Sequence, residues 1–339
     1  MRAIGRKIEN PAEVMERQAV EAAEQLAEQV ALELDWPELR VKIAGVELKN
    51  PVIAASGTFA FGLEYEDYFD VSKIGGMSLK ALTPEPRKGN SGVRIAETPS
   101  GIMNSVGLQN PGVDAFIGDI LPKIAHIDTV KIANVAGKTR EDYFEVIDKL
   151  NHTDIDMYEL NVSCPNVKEG GVAFGTDEES LFKIVSGAKV HAQKPLIVKL
   201  SPNVTNIANM ALAAEDAGAD AVSLVNTFTA MAIDVKTRRP VLGNVTGGLS
   251  GPCIKPIALR MVHDVYKAVN IPIIGMGGIM TGTDAVEFLL AGASAVMVGT
   301  ANIASPDAML SIIDGIEEYL AEAGMSSVSE LTGALVYGE

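Results

Sequence analysis

Beyond residue 50 the chain alternates between two kinds of segment. Short runs rich in Val, Ile, Leu, Ala and Met, with no polar residue at every second place, are followed by longer stretches where apolar residues recur every three to four positions. The short runs are 51–56, 76–80, 130–135, 157–161, 196–200, 221–226, 272–277 and 295–299. An apolar run without alternation predicts a strand buried on both faces, hence a parallel sheet. The longer stretches predict helices at 140–151, 178–192, 206–217, 255–269, 283–291 and 307–323. Eight strand units, most followed by a helix, fit a closed (β/α)8 barrel of the TIM class better than an open doubly wound sheet. Val41-Lys42-Ile43-Ala44-Gly45-Val46-Glu47-Leu48 reads as a small N-terminal hairpin closing the barrel's bottom. The connection 81–127, rich in Gly, Pro and Asn, is the main insertion.

The first 36 residues follow a different rule. Asn10-Pro11-Ala12-Glu13 reads as an N-cap with Pro at the first helical position. Met15, Ala19, Ala22, Leu26, Val30 and Leu34 then recur at helical spacing, with Glu16, Glu21, Glu24 and Glu28 off that stripe. Trp36-Pro37 ends it. The expected organisation is an amphipathic helical extension at 1–36 and a barrel domain at 37–339. An Ala-rich stripe with an acidic polar face argues against membrane binding. The extension is read as packed on the barrel or on a partner chain, with a mobile appendage as the alternative.

Charge and composition narrow the function. The 339 residues hold 44 acidic and 28 basic side chains, a formal charge of −16. That balance disfavours nucleic acid and anionic membranes, which reward clustered Lys and Arg. Two cysteines, Cys164 and Cys253, cannot form a disulfide framework or a four-Cys metal or iron–sulfur site within one chain. The N-terminus carries charge without an apolar run behind it, unlike a secretory signal. The uncharged stretch 288–306 nears a membrane span in length, but Gly292, Gly299, Asn302 and Pro306 break it into a helix end, a strand and a turn. A soluble, cytoplasmic protein is expected.

Active sites of eight-fold barrels sit at the C-terminal ends of the strands. The residues at those ends are Ser56, Lys80, Asn134, Asn161, Lys199 and Asn226, then Gly277-Gly278 and Gly299-Thr300. Six polar residues ending six apolar strands exceed what packing alone would give. Buried lysines in particular need an anion or an electron-rich ligand. Glycine turns after strands seven and eight let backbone amides approach a phosphate, the usual arrangement in these barrels. That phosphate belongs to a substrate or to a cofactor such as FMN. The four histidines, His126, His152, His191 and His263, fall in helices or at the wrong strand ends, and no carboxylate or His cluster offers a metal site. Cys253 follows Gly251-Pro252 in a top-face loop and is read as a small buried hydrophobe. Cys164, directly after the fourth strand and flanked by Asn161, Ser163 and Asn166, is the candidate nucleophile or proton acceptor.

The segment Asn161-Val162-Ser163-Cys164-Pro165-Asn166, continuing through Gly170-Gly171 to Phe174-Gly175, resembles the active-site loop of class 1 dihydroorotate dehydrogenases. So do the segments from Asn50 to Phe59, from Lys80 to Asn90 and from Asn104 to Gly112. The match runs from about Leu39 to the C-terminus, and residues 170–177 are more similar to the NAD-linked subclass, 1B, than to the fumarate-linked one. The membrane-bound class 2 enzymes use a serine where this chain has Cys164. The resemblance implies FMN at the barrel mouth, with its phosphate on Gly277, Gly278, Gly299 and Thr300 and with Gly251 nearby. Ser56, Lys80, Ala81, Asn134, Asn161, Lys199 and Val225 would line the rest of the flavin. Dihydroorotate would lie among Lys80, Asn104, Ser105, Val106, Gly107, Leu108, Asn161, Asn166, Asn226 and Thr227. Cys164 would take the C5 proton while a hydride leaves C6 for the flavin.

The NAD-linked members pair with an electron-transfer subunit carrying FAD and an iron–sulfur cluster. This chain has too few cysteines for such a cluster and no Gly-x-Gly-x-x-Gly after a strand for NAD. The resemblance therefore implies a homodimer that joins such a subunit in a heterotetramer. The extension at 1–36 departs from the family pattern. Three other readings stay open: a related FMN barrel acting on another dihydropyrimidine or linked to fumarate, a non-catalytic scaffold barrel, and a flavin-free barrel for a phosphorylated substrate.

Overall fold

The structure, a computed structural model, describes residues 36–162, 168–169 and 172–338. The extension at 1–36 falls almost wholly outside the described residues, as do Cys164 and Asn166.

All eight predicted strands form. They are β1 (Val52–Ala54), β2 (Gly76–Ser78), β3 (Val130–Val135), β4 (Met157–Asn161), β5 (Leu196–Lys199), β6 (Ala221–Leu224), β7 (Ile273–Met276) and β8 (Ala295–Val298). Each pairs in parallel with its neighbours in sequence, and β8 returns to β1, closing the barrel. The ring of helices comprises α1 (Arg140–Leu150), α2 (Glu178–His191), α3 (Ile207–Asp216), α4 (Lys255–Tyr266), α5 (Gly282–Leu290) and α6 (Ala308–Ala323). Side-chain caps set several of their starts. Thr139 and Asp142 form a reciprocal capping box for α1, and Thr281 and Asp284 do the same for α5. The uncharged stretch 288–306 is the end of α5, a turn, β8 and a one-turn helix, Ala301–Ala304.

The hairpin ahead of β1 forms from Val41–Ile43 and Val46–Leu48, and Ile43 and Leu48 are buried. It sits at the N-terminal ends of the strands. There Lys49 Nζ donates to the carbonyls of Ser72 (2.7 Å) and Asp128 (2.6 Å), in the segments that enter β2 and β3.

Two details depart from the expected repeat. The β1–β2 connection holds only single turns of tight helix, Leu63–Tyr65 and Val71–Lys73. The insertion after β2 and a second one after β6 also build a sheet of their own. Strands Ile95–Thr98, Gly101–Asn104, Gly247–Ser250 and Phe228–Ala230 pair antiparallel, in that order, on the side where the barrel strands end.

One helix is tied directly to the mouth. Tyr143 of α1 is fully buried, stands edge-on to Phe174, and donates its hydroxyl to the carbonyl of Asn161 (2.9 Å), the last residue of β4. Replacing Tyr143 with Phe deprives that carbonyl of its donor. The expected loss is about 1–2 kcal/mol of unfolding free energy, read from urea denaturation; an unchanged midpoint would mean that water replaces the hydroxyl.

Candidate active site at the barrel mouth

Five of the six polar strand-end residues converge as a linked set, and Lys80 stands apart from it. Asn226 donates to Asn161 Oδ1 (3.3 Å), Asn161 to Asn134 Oδ1 (3.3 Å), and Asn134 to Glu159 Oε2 (2.5 Å). Glu159 also accepts from Ser78 (2.7 Å) and Ser223 (2.8 Å), and Lys199 Nζ lies 3.7 Å from its Oε2. Lys199 in turn reaches Ser56 Oγ at 3.4 Å. Side chains from β2 to β6, and the residues just beyond β1 and β6, thus form one continuous polar layer. Asn134 and Glu159 have no exposed surface, and Lys199 is 5% exposed.

Glu159, Ser78 and Ser223 were not among the expected site residues. A carboxylate two positions before Asn161 on the same strand shares its inward face, which was the available signal in Met-Tyr-Glu-Leu-Asn.

The glycine turns meet on the adjoining side. Gly277 (φ +130°), Gly278 (φ +83°) and Gly251 (φ +105°) adopt backbone that favours glycine. A methyl group at Gly278 would lie 2.8 Å from the Gly251 carbonyl and 2.9 Å from the Lys255 amide, at the start of α4. Its N-cap residue, Ile254, supplies no side-chain cap. Thr300 Oγ1 donates to Ser250 Oγ (3.0 Å), Val225 packs against Gly277, and Gly299 faces the Ala55 side chain. Lys255, whose ammonium pKa the Asp284 hydrogen bond raises, is held by Asp284 (2.6 Å) and Glu287 (2.9 Å). The cradle is therefore one of backbone and hydroxyl groups.

The segment 104–108 enters from the added sheet. Asn104 pairs with Gly248, and a side chain at Gly248 would run into Thr227, so Asn104 and Thr227 flank one glycine. Asn90 holds the turn by donating to the carbonyl of Ser105 (2.9 Å) and to that of Val106 (3.0 Å). Gly107 and Leu108 both take positive φ. Ser105 is 9% exposed, and its hydroxyl has no partner among the described residues. Ala81 is buried just beyond β2. Lys80 lies beside Gly57, and burial, then the Arg94 charge, lower its ammonium pKa.

Cys253 corrects an expectation. It is exposed in the tight turn Pro252–Ile254, not buried, because its Sγ lies over the Ser250 carbonyl and Gly101 of the added sheet rather than in the core. The histidines do lie at the periphery: His126 pairs with Glu66, His191 with Asp148, and His263 with Tyr337.

A family model, Dihydroorotate dehydrogenase, matches residues 38–320. The chain belongs to the dihydroorotate dehydrogenase family. It is similar to the "Dihydroorotate dehydrogenase B (NAD(+)), catalytic subunit" of Petrotoga mobilis, 59% identical over 88% of this chain and 99% of that protein. Proteins with the same description from Geotalea uraniireducens and Alkaliphilus metalliredigens are 54% and 55% identical, again over 88% of this chain. Membership in this flavin-dependent family makes the protein an oxidoreductase. No helix among the described residues is long and apolar enough to cross a membrane.

For a dihydroorotate dehydrogenase chain without its ligands, Lys80 is a liability. Its folded-state pKa is depressed, so the unfolded chain binds more protons between that value and 10.5. Stability contributed at this site therefore rises with pH through that window. Lys80→Met in the flavin-free chain should unfold at higher urea than the parent at neutral pH, with the gap narrowing as pH approaches 10.5. A pH-independent gap would assign the effect to packing.

Proposed function

We propose that this chain is the FMN-bearing catalytic subunit of an NAD-linked dihydroorotate dehydrogenase, oxidising (S)-dihydroorotate to orotate in cytoplasmic pyrimidine synthesis. The observation that carries the reading is the meeting of the Ser56–Lys199 and Asn134–Asn161–Asn226 groups with a glycine cradle at one barrel mouth. The residues present fit FMN. Gly278, where a Cβ would collide with the Gly251 carbonyl, leaves room for a phosphate against backbone amides. Gly251, Gly277, Gly299 and Thr300 complete that side. Ser56, Lys80, Ala81, Asn134, Asn161, Lys199 and Val225 would hold the flavin ring and ribityl chain.

FMN, when bound, supplies the acceptor for the hydride from substrate C6. The protein's part is to orient the substrate and take one proton. Asparagine amides offer both donor and acceptor to a planar pyrimidine; Asn161, Asn166, Asn226, Asn104 and Thr227 are assigned that task. The Ser105 hydroxyl, unpartnered among the described residues, and the 106–108 turn, Val106, Gly107 and Leu108, are assigned to the same side. Lys80 makes no ion pair among the described residues, and its desolvated ammonium suits the substrate carboxylate. Cys164 is the base that removes the C5 proton, leaving the C5–C6 double bond. Its role and that of Asn166 rest on the family resemblance, since both lie outside the described residues.

The names of the relatives describe a catalytic subunit, which supports a partner for the second half-reaction. We assign that partner FAD and an iron–sulfur cluster, in a heterotetramer built on a homodimer of this chain. Residues 1–36 are assigned to an appended segment and 37–339 to the catalytic domain.

Two measurements test the reading. The purified chain should be yellow, and dihydroorotate added anaerobically should bleach the flavin bands, with or without residues 1–36. A flavin that stays oxidised would move the substrate to another dihydropyrimidine; a chain that binds no added FMN would overturn the enzyme assignment. Cys164→Ala should lose roughly 3–5 kcal/mol of transition-state stabilisation while keeping its flavin, and near-normal reduction by that variant would remove Cys164 as the base.

A further inference from the structure

We propose that Glu159 is a positioning residue of the flavin site, which sets the direction of the asparagine relay and balances the charge of Lys199. The inference rests on the FMN reading above.

Glu159 lies on β4 inside the barrel with no exposed surface. Interiors of these barrels are filled by branched apolar side chains, and a buried carboxylate brings a desolvation cost that packing would not. Stability alone therefore gives no reason for an acid here. Its contacts do. Four other strands send a group to it: Ser78 from β2, Asn134 from β3, Lys199 from β5 and Ser223 from β6. Asn134 and Lys199 both belong to the strand-end layer.

An ionised carboxylate only accepts hydrogen bonds. Asn134 must then turn its NH2 toward Glu159, which leaves its Oδ1 to accept from Asn161, whose Oδ1 accepts from Asn226. One acceptor at the base orders the donor and acceptor sense of three amides. The same carboxylate faces the Lys199 ammonium at 3.7 Å. With that charge offset, Lys199 biases the site less strongly toward the anionic, reduced form of a flavin than a bare ammonium would.

The test is E159Q in the flavin-loaded chain, with the flavin midpoint potential measured anaerobically by dye equilibration. Glutamine keeps the shape but removes the charge, and it can donate as well as accept. Reduced FMN should gain affinity over oxidised FMN by about tenfold, a positive shift of about 30 mV for a two-electron couple. E159D, which keeps the charge, should stay closer to the parent. A potential unchanged in E159Q overturns the inference while leaving the flavin reading intact; a parent chain that binds no FMN removes both. Should E159Q fail to fold, E159Q/K199M removes both charges together. Recovery of the folded chain supports the pairing, and failure of the double variant overturns it.

Discussion

A carboxylate with no access to water must find its donors inside the protein, and Glu159 finds them on four different strands. Because β2 through β6 each send an inward polar group to one point, their relative stagger matters to the site as well as to the fold. Asn134 stands directly opposite Glu159 in the ladder, and Lys199 opposite both Asn161 and Ser223. A register slip of one residue would turn each of these groups to the helix side, leaving a bare charge against apolar packing. The helices press the strands from outside with apolar faces, but those faces would tolerate small shifts. The polar layer would not, and α1 reinforces it through the Tyr143 hydroxyl on the end of β4.

The opposite side of the mouth is built on another principle. Close approach of the 251–255 and 277–278 segments leaves no room for side chains at Gly251 and Gly278, and the Thr300 hydroxyl bonds that of Ser250 beside them. Lys255, beside Gly278, is committed to Asp284 and Glu287. Such a cradle suits a phosphate of fixed position, since recognition comes from backbone geometry more than from mobile charge. One mouth thus joins a shape-fixed half with a half whose polarity is ordered from below.

Most of the barrel could be read from residue pattern because strands buried on both faces leave no place for polar residues except where they end. The same feature explains the boundary errors. Ser56, Lys80 and Asn226 lie two residues beyond strands that stop at Ala54, Ser78 and Leu224, because a polar side chain directly after an apolar run does not mark where the ladder ends. The added sheet was not anticipated. Its strands are short, half-exposed and carry Gly101, Gly247 and Gly248, so neither period nor propensity marks them. Glu159 is hard to single out in the sequence, because one charge inside an apolar run does not disturb the strand signal. What makes it informative is the arrival of donors from strands distant in sequence. The exposure of Cys253 is hidden for a related reason, as composition cannot tell on which side of a tight turn a small side chain emerges.

The two lysines of the mouth, alike in sequence context, differ in what surrounds them. Lys199 has a carboxylate partner of its own, so its charge is already answered before any ligand arrives. Lys80 is desolvated near Gly57, feels Arg94, and has no carboxylate among the described residues. An anion placed beside Lys80 would relieve a cost already present in the folded chain, whereas one placed beside Lys199 would compete with Glu159. That asymmetry favours the Lys80 side for a substrate carboxylate and the Lys199 side for a neutral, polarisable ring. The division follows from where the fold has put the one buried acid among the described residues.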